Sequence, residues 1–235
     1  MKQVAMRVAM LLSVIALLGV WRATTVTNAA ITAAPQPSAL SQDAANTTGK
    51  WTFMVYMAAD NNLEGAALGD INGMEEAGST DDVRVVVQMD RAEHYSDSDG
   101  NWTGTRRFFV DFDMEMAFGR ITSTQIADLG ETNTGDPDNL VDFVTWAMDT
   151  YPAEHYALVI WNHGGSWYGA GTDNSADKDQ LTLPEIDTAL AQISAHNDGE
   201  KLDFVGFDAC LMGSLEVYQM LAPYVDYAVA SPELV

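Results

Sequence analysis

The chain predicts an α/β fold on a mostly parallel sheet with helices on both faces, and three observations predict it. Short apolar runs alternate along the chain with segments of helical spacing, the order that a helix-covered parallel sheet requires. The clearest run, Val83–Met89, is apolar and β-branched apart from Arg84 and Gln88, as suits a central parallel strand. Two of the helical segments carry explicit start signals, Asp136-Pro137 and Thr182-Leu-Pro-Glu185, which fix where strand gives way to helix.

Taken in order, Thr52–Ala59 reads as a buried strand and Leu63–Ala77 as the helix that follows it. After the strand at Val83–Met89, Arg91–Asn101 is a polar excursion, and the alternating pattern of Trp102–Asp113 predicts a peripheral hairpin. Asp136 can cap a helix and Pro137 suits its first position; Leu140, Phe143, Val144, Ala147 and Met148 keep helical spacing until Tyr151-Pro152 ends it. Strands are expected at 155–161 and 203–208, separated by a capping box at Thr182–Glu185 and a helix to about Ala195. Leu211, Leu215, Tyr218 and Leu221 would form one face of a last helix, and Asp226–Ala230 a last strand.

Residues 1–30 have the layout of a secretory signal peptide: Lys2 and Arg7, an apolar run from Val8 to Val20, then small residues to Ala30. The run falls short of the roughly 20 residues that span a bilayer, so an uncleaved anchor is the weaker alternative. No cysteine follows it, which excludes a thioether lipid anchor. Residues 31–50, rich in Ala, Pro, Ser, Gln and Thr, read as a flexible linker, leaving residues 51–235 as one folded domain. The expected location is therefore secreted or periplasmic, with no membrane contact beyond the signal peptide. A net charge of −23 repels nucleic acid and anionic membranes, and attracts cations and basic peptides.

Phe204-Val-Gly-Phe-Asp-Ala-Cys210-Leu-Met-Gly places the only cysteine where an apolar strand is expected to give way to a helix. In an exported chain a lone cysteine forms no internal disulfide. At a helix N-terminus the backbone N–H groups and the dipole would favour its thiolate. The competing reading is a small buried hydrophobe. His155-Tyr-Ala-Leu-Val-Ile-Trp161-Asn-His163-Gly-Gly165 is a second apolar strand ending in a histidine and two glycines. Sites in open α/β sheets form beyond the carboxyl ends of strands, where both Cys210 and His163 fall. His163 precedes Cys210 by 47 residues, an order and separation that resemble those of caspases. His94 sits in an acidic loop, His155 opens a strand and His196 closes a helix, so only His163 has a flank open to substrate.

The chain resembles the clostripain family of cysteine peptidases, in the clan of caspases, legumain and gingipains. The resemblance is carried in order by Trp51-Thr-Phe-Met-Val-Tyr-Met-Ala-Ala-Asp60-Asn-Asn-Leu63, Gly135-Asp-Pro137, Ala157-Leu-Val-Ile-Trp-Asn-His163-Gly-Gly165, Asp208-Ala-Cys210-Leu-Met212 and Tyr227-Ala-Val-Ala-Ser231. It implies a caspase-like three-layer sandwich, C-terminally truncated, since family members continue well beyond the last expected strand. It implies a Cys210–His163 dyad, a thioester intermediate, and an oxyanion held by the backbone N–H groups of Gly164 and Cys210. It further implies peptide substrates with Arg or Lys at P1, and Asp208 lining the pocket for that side chain. The competing role for Asp208 is a helix cap. Asp60 and Asn61 end the first strand on the same edge, where they either line the site or serve turn chemistry.

Self-processing is expected between the dyad residues, where the only basic positions are Lys178, in a polar stretch open to nicking, and Lys201, just before a strand. No cofactor is needed for the chemistry. The resemblance leaves calcium open without locating it, and Asp97-Ser-Asp99-Gly100-Asn101 lacks the closing glutamate of a calcium loop and reads as a turn. No HExxH, GxSxG or GxxxxGK[ST] is present, which removes zincin, serine-hydrolase and phosphate-loop chemistry. The alternative function is a non-catalytic, acidic, caspase-like binding module.

Overall fold

The computed structural model describes residues 37–113 and 119–234. The expected signal peptide lies outside the described residues. A short helix, α1 (Ala39–Ala44), is followed by β1 (Gly49–Ala59), α2 (Glu64–Glu75), β2 (Val83–Arg91), β3 (Gly104–Phe109) and β4 (Thr124–Gly130). Then come α3 (Pro137–Thr150), β5 (Ala153–Trp161), a small pair β6 (Ala170–Asp173) and β7 (Asp179–Leu181), and α4 (Leu183–His196). The last elements are β8 (Leu202–Asp208), α5 (Leu215–Leu221) and β9 (Val225–Ala230).

Seven strands form one sheet in the order β4-β3-β2-β1-β5-β8-β9, with β6 and β7 as a separate ribbon. The run from β2 to β9 is parallel throughout, while β3 and β4 pair antiparallel at the edge. Strand periodicity divides the core in two. Met54 and Tyr56 of β1 and Leu158 and Ile160 of β5 pack with the apolar stripes of α3, α4 and α5. Their neighbours Val55, Met57 and Trp161 face Ala67, Leu68 and Ile71 of α2. The three-layer, mostly parallel α/β architecture expected from the sequence is what forms.

The start signals work as anticipated. Asp136 Oδ1 accepts from the N–H of Asp138 at 2.9 Å with Pro137 at the first position of α3. Glu185 Oε2 accepts from the N–H of Thr182 at 2.8 Å to begin α4. At the start of α2, Glu64 is fully buried and pairs with Arg91 Nε of β2 at 2.5 Å, which locks that helix to the strand end beside it.

Four expectations need correction. The linker does not run to residue 50: Ser38 Oγ donates to Asp111 Oδ1 at 2.8 Å, Ala44 is buried, and Arg84 Nη2 donates to Thr47 Oγ1 at 2.8 Å. Residues 102–113 are not a self-contained hairpin; β3 joins the main sheet beside β2, and its other partner, β4, lies beyond residue 120. Cys210 does not open a helix, because α5 begins five residues later at Leu215. On α5 the buried residues are Val217 and Leu221, while Leu215 is 77% exposed.

Candidate functional site

The sheet register brings the two candidate residues together. Trp161 at the end of β5 pairs with Asp208 at the end of β8, and the N–H of Asn162 donates to the Asp208 carbonyl at 3.2 Å. His163 and Cys210 therefore each stand two residues beyond a paired position on adjacent strands. A cleft of about 330 Å³ opens there, lined by both of them with Asp208, Asp70 and Leu63.

Each loop is held by its own devices. Asn162 Nδ2 donates to the Thr172 carbonyl at 3.1 Å and to that of Ala58, and Asn162 Oδ1 accepts from the N–H of His163. Beyond His163, the N–H of Gly165 donates to the Gly169 carbonyl at 2.9 Å and that of Gly171 to the His163 carbonyl at 3.4 Å. Those two bonds close a bridge between Gly164 and Ala170 that does not use the Gly164 N–H. A Cβ at Gly164 would lie 2.1 Å from the Cys210 carbonyl oxygen, so only glycine lets the histidine loop touch the cysteine loop.

On the cysteine side, Leu211 takes a left-handed conformation, φ 64°, which costs a side chain of that size of order 1 kcal/mol. The turn is pinned by the Leu211 N–H to the Glu233 carbonyl at 3.0 Å and the Gly213 N–H to that of Ser231 at 2.8 Å. A strained, pinned turn thus presents Cys210 in place of the expected helix N-terminus.

His163 is exposed, and its Nε2 lies 3.0 Å from Asn62 Oδ1. Asn62 was not singled out in the sequence, where it reads as one polar residue of a turn. Asp70, on α2, was missed as well; its carboxylate accepts from Trp161 Nε1 at 2.8 Å at the cleft wall. Asp208 stands at the cleft rim, and its carboxyl is raised above the ordinary carboxylate range, first by desolvation and then by the nearby Asp70. It caps no helix.

Asp60 and Asn61 do not line this cleft. Asn61 spends its side chain on the carbonyls of Ala58 and Thr172, both at 2.9 Å, and on the N–H of Leu63, which is the turn chemistry weighed against a site role. Asp60 is buried among other carboxylates. Lys178 is exposed at φ 63° in the turn between β6 and β7, whereas Lys201 donates to the Ala222 carbonyl at 2.9 Å. Asp99 forms the expected turn, its carboxylate accepting from Trp102 Nε1 at 2.7 Å and the N–H of Ile121 at 3.1 Å. A larger depression, about 600 Å³, lies at the opposite ends of β5 and β8; it contains His155, which is held by Asp203 at 2.7 Å, and no cysteine. His196 is likewise occupied, by Asp149 at 2.9 Å. Among the described residues no helix is long and apolar enough to cross a membrane.

A family model described as the clostripain family matches residues 55–235. Clostripain of Hathewaya histolytica is 29% identical over 203 residues, covering 76% of this chain and 37% of its own length. Among solved structures, a secreted C11 cysteine protease from Bacteroides thetaiotaomicron in complex with an irreversible peptide inhibitor superposes with a TM-score of 0.64 at 26% identity. The match covers 80% of this chain and 50% of that one. An inactive zymogen C11 protease from Parabacteroides distasonis, 22% identical with a TM-score of 0.60 over the same shares, has the same fold. The chain thus spans between about a third and a half of the length of these relatives.

Proposed function

This chain belongs to the clostripain family, and we propose that it supplies the catalytic half of a cysteine endopeptidase that cuts after arginine or lysine. The observation that carries the reading is the contact of Gly164 with the Cys210 backbone, which brings a histidine loop and the only cysteine to one cleft.

The Cys210 thiolate attacks the scissile carbonyl carbon, and the oxyanion is received by the backbone N–H groups of Gly164 and Cys210. As the C–N bond breaks, His163 delivers a proton to the leaving amine. Water then attacks the thioester, giving up a proton to His163, and the carboxylate product leaves with Cys210 restored. Asn62 orients the imidazole through its contact with Nε2. The paired carboxylates of Asp208 and Asp70 at the cleft favour a cationic P1 side chain, and the exposed Asp208 is the one that reaches it.

The protein acts outside the cytoplasm, exported by residues 1–30, on protein or peptide substrates. It processes itself after Lys178, whose exposed turn a protease can enter, whereas Lys201 is tied down before β8.

The test is the parent chain beside Cys210→Ala and His163→Ala, on a fluorogenic peptide with Arg at P1 and with an arginyl irreversible inhibitor. The parent hydrolyses the peptide and takes up one inhibitor at Cys210, and both variants lose at least about 10³-fold of the activity. A parent that is folded yet neither cleaves nor labels indicates the binding-module reading instead.

A further inference from the structure

The turn that carries Cys210 is held by a segment distant from it in the sequence. Phe207 and Ala230 form the last rung between β8 and β9, so the chain leaves the two strands side by side. After β8 it makes the turn at 209–213, and after β9 Ser231-Pro232-Glu233 runs along that turn. The Leu211 N–H donates to the Glu233 carbonyl at 3.0 Å and the Gly213 N–H to the Ser231 carbonyl at 2.8 Å. The second segment is braced in its own right. The Ser231 hydroxyl donates to the Glu233 carbonyl at 3.2 Å and accepts from the Glu233 N–H at 3.1 Å, while Pro232 fixes one backbone dihedral between them. On α5, the Tyr218 hydroxyl donates to the Ala230 carbonyl at 3.3 Å.

This clasp, and not side-chain packing, sets the backbone of the turn. Leu211 is left-handed at φ 64°, a region that leucine avoids, yet its side chain is exposed, so little burial compensates the conformation. Gly213 needs no special φ, but a Cβ there would stand 2.7 Å from Pro232 N, 2.8 Å from the Ser231 carbonyl carbon and 2.9 Å from the Ala230 carbonyl oxygen. The two segments therefore touch backbone to backbone. With the clasp released, the same residues would wind into an extension of α5, the conformation that the spacing of Leu211 and Leu215 suits, and Cys210 would move with them.

We propose that Ser231–Glu233 is a positioning element for Cys210, and that Leu211 and Gly213 are the positioning residues through which it acts. By capturing two N–H groups it holds the turn in its left-handed form, and that form presents Cys210 to the cleft beside His163. The effect on hydrolysis rests on the peptidase reading, whereas the state of the turn is read from the thiol itself. Cys210 is the only cysteine of the chain, so a thiol probe reports on this turn and on nothing else.

The experiment compares the full chain with Gly213→Ala, Leu211→Val and Leu211→Asn. It measures kcat and KM on an arginyl peptide, the rate at which iodoacetamide alkylates Cys210, and Tm. To bring the new Cβ of Gly213→Ala into ordinary contact with Pro232 N, the turn must move by about 0.7 Å. Where a displacement of about 1 Å costs on the order of 10²-fold, kcat should fall about tenfold with KM little changed. Leu211→Val keeps an apolar side chain but makes the left-handed backbone costlier, and kcat falls at least about threefold. Leu211→Asn tolerates that backbone and holds kcat within about twofold of the parent. Alkylation follows the same division: Gly213→Ala and Leu211→Val depart from the parent rate by at least about threefold, and Leu211→Asn does not. A role confined to packing gives the reverse order, Val above Asn, and overturns the proposal, as do parental kcat and alkylation rates in Gly213→Ala. A folded parent that shows the alkylation order but does not cleave removes the peptidase reading and leaves the clasp standing.

Discussion

Gly164→Ala tests whether the backbone contact between the two loops is what makes the site. The added Cβ would stand 2.1 Å from the Cys210 carbonyl oxygen, 2.9 Å from Met212 Cγ and 3.1 Å from Ala209 Cβ. Met212 can yield, but the carbonyl belongs to the peptide unit of Cys210 itself. To restore ordinary contact the two loops must part by about 1.3 Å. A displacement of about 1 Å at a reacting pair costs on the order of 10²-fold in rate, so kcat/KM on an arginyl substrate should fall by at least that factor. Overpacking of this kind also costs about 1–3 kcal/mol of stability, which leaves the chain folded for the assay at 25 °C. The control is Gly165→Ala: its φ is −133°, and its Cβ would meet Tyr168 Cβ at 3.3 Å, a contact that gives by a few tenths of an ångström. The assay compares hydrolysis and the rate of Cys210 labelling for parent and both variants, with Tm measured alongside. Full activity in Gly164→Ala, or equal losses in the two variants, refutes the idea that this contact sets a working distance between His163 and Cys210.

The raised carboxyl of Asp208 gives a pH signature. The anion is complete only above that raised value, so cleavage after arginine should decline as pH falls through it; Asp208→Asn should lose about tenfold in kcat/KM on arginyl peptides and flatten that acid limb. A pH profile of kcat/KM for arginyl and leucyl peptides checks this, and an unchanged acid limb in the variant counts against it. Self-processing should stop in Lys178→Gln and persist in Lys201→Gln, as read by intact mass and N-terminal sequencing; cleavage of Lys178→Gln at the same rate removes the assignment.

The strand–helix alternation and the helix starts were legible because they rest on local chemistry: apolar runs that bury both faces in β1 and β5, and the caps at Asp136 and Thr182. The histidine and cysteine could be placed at one edge because both follow apolar strands. What escaped the sequence is non-local. β4 reads weakly because its outer residues are exposed, and its place is set by pairing with β3. The turn at Cys210 looked like a helix start because Leu211, Leu215 and Leu221 share a spacing, yet the turn is decided by residues 231 and 233, which capture its N–H groups. Asp90 and Gln88 did leave a trace, as polar residues inside a buried strand, but only the fold reveals that Asp90 meets Asp60, Glu131 and Asp173.

The pairing of Trp161 with Asp208 has a consequence for how such a chain can change over time. His163 and Cys210 are separated along the chain by a ribbon and a helix, yet their spacing is fixed by neighbouring rungs of a parallel ladder and not by the intervening polypeptide. The turn between β6 and β7 lies outside that ladder, so residues can be inserted, deleted or cut there while the two strand ends keep their register. Selection can therefore rework that excursion while His163 and Cys210 keep their places beyond the two strand ends.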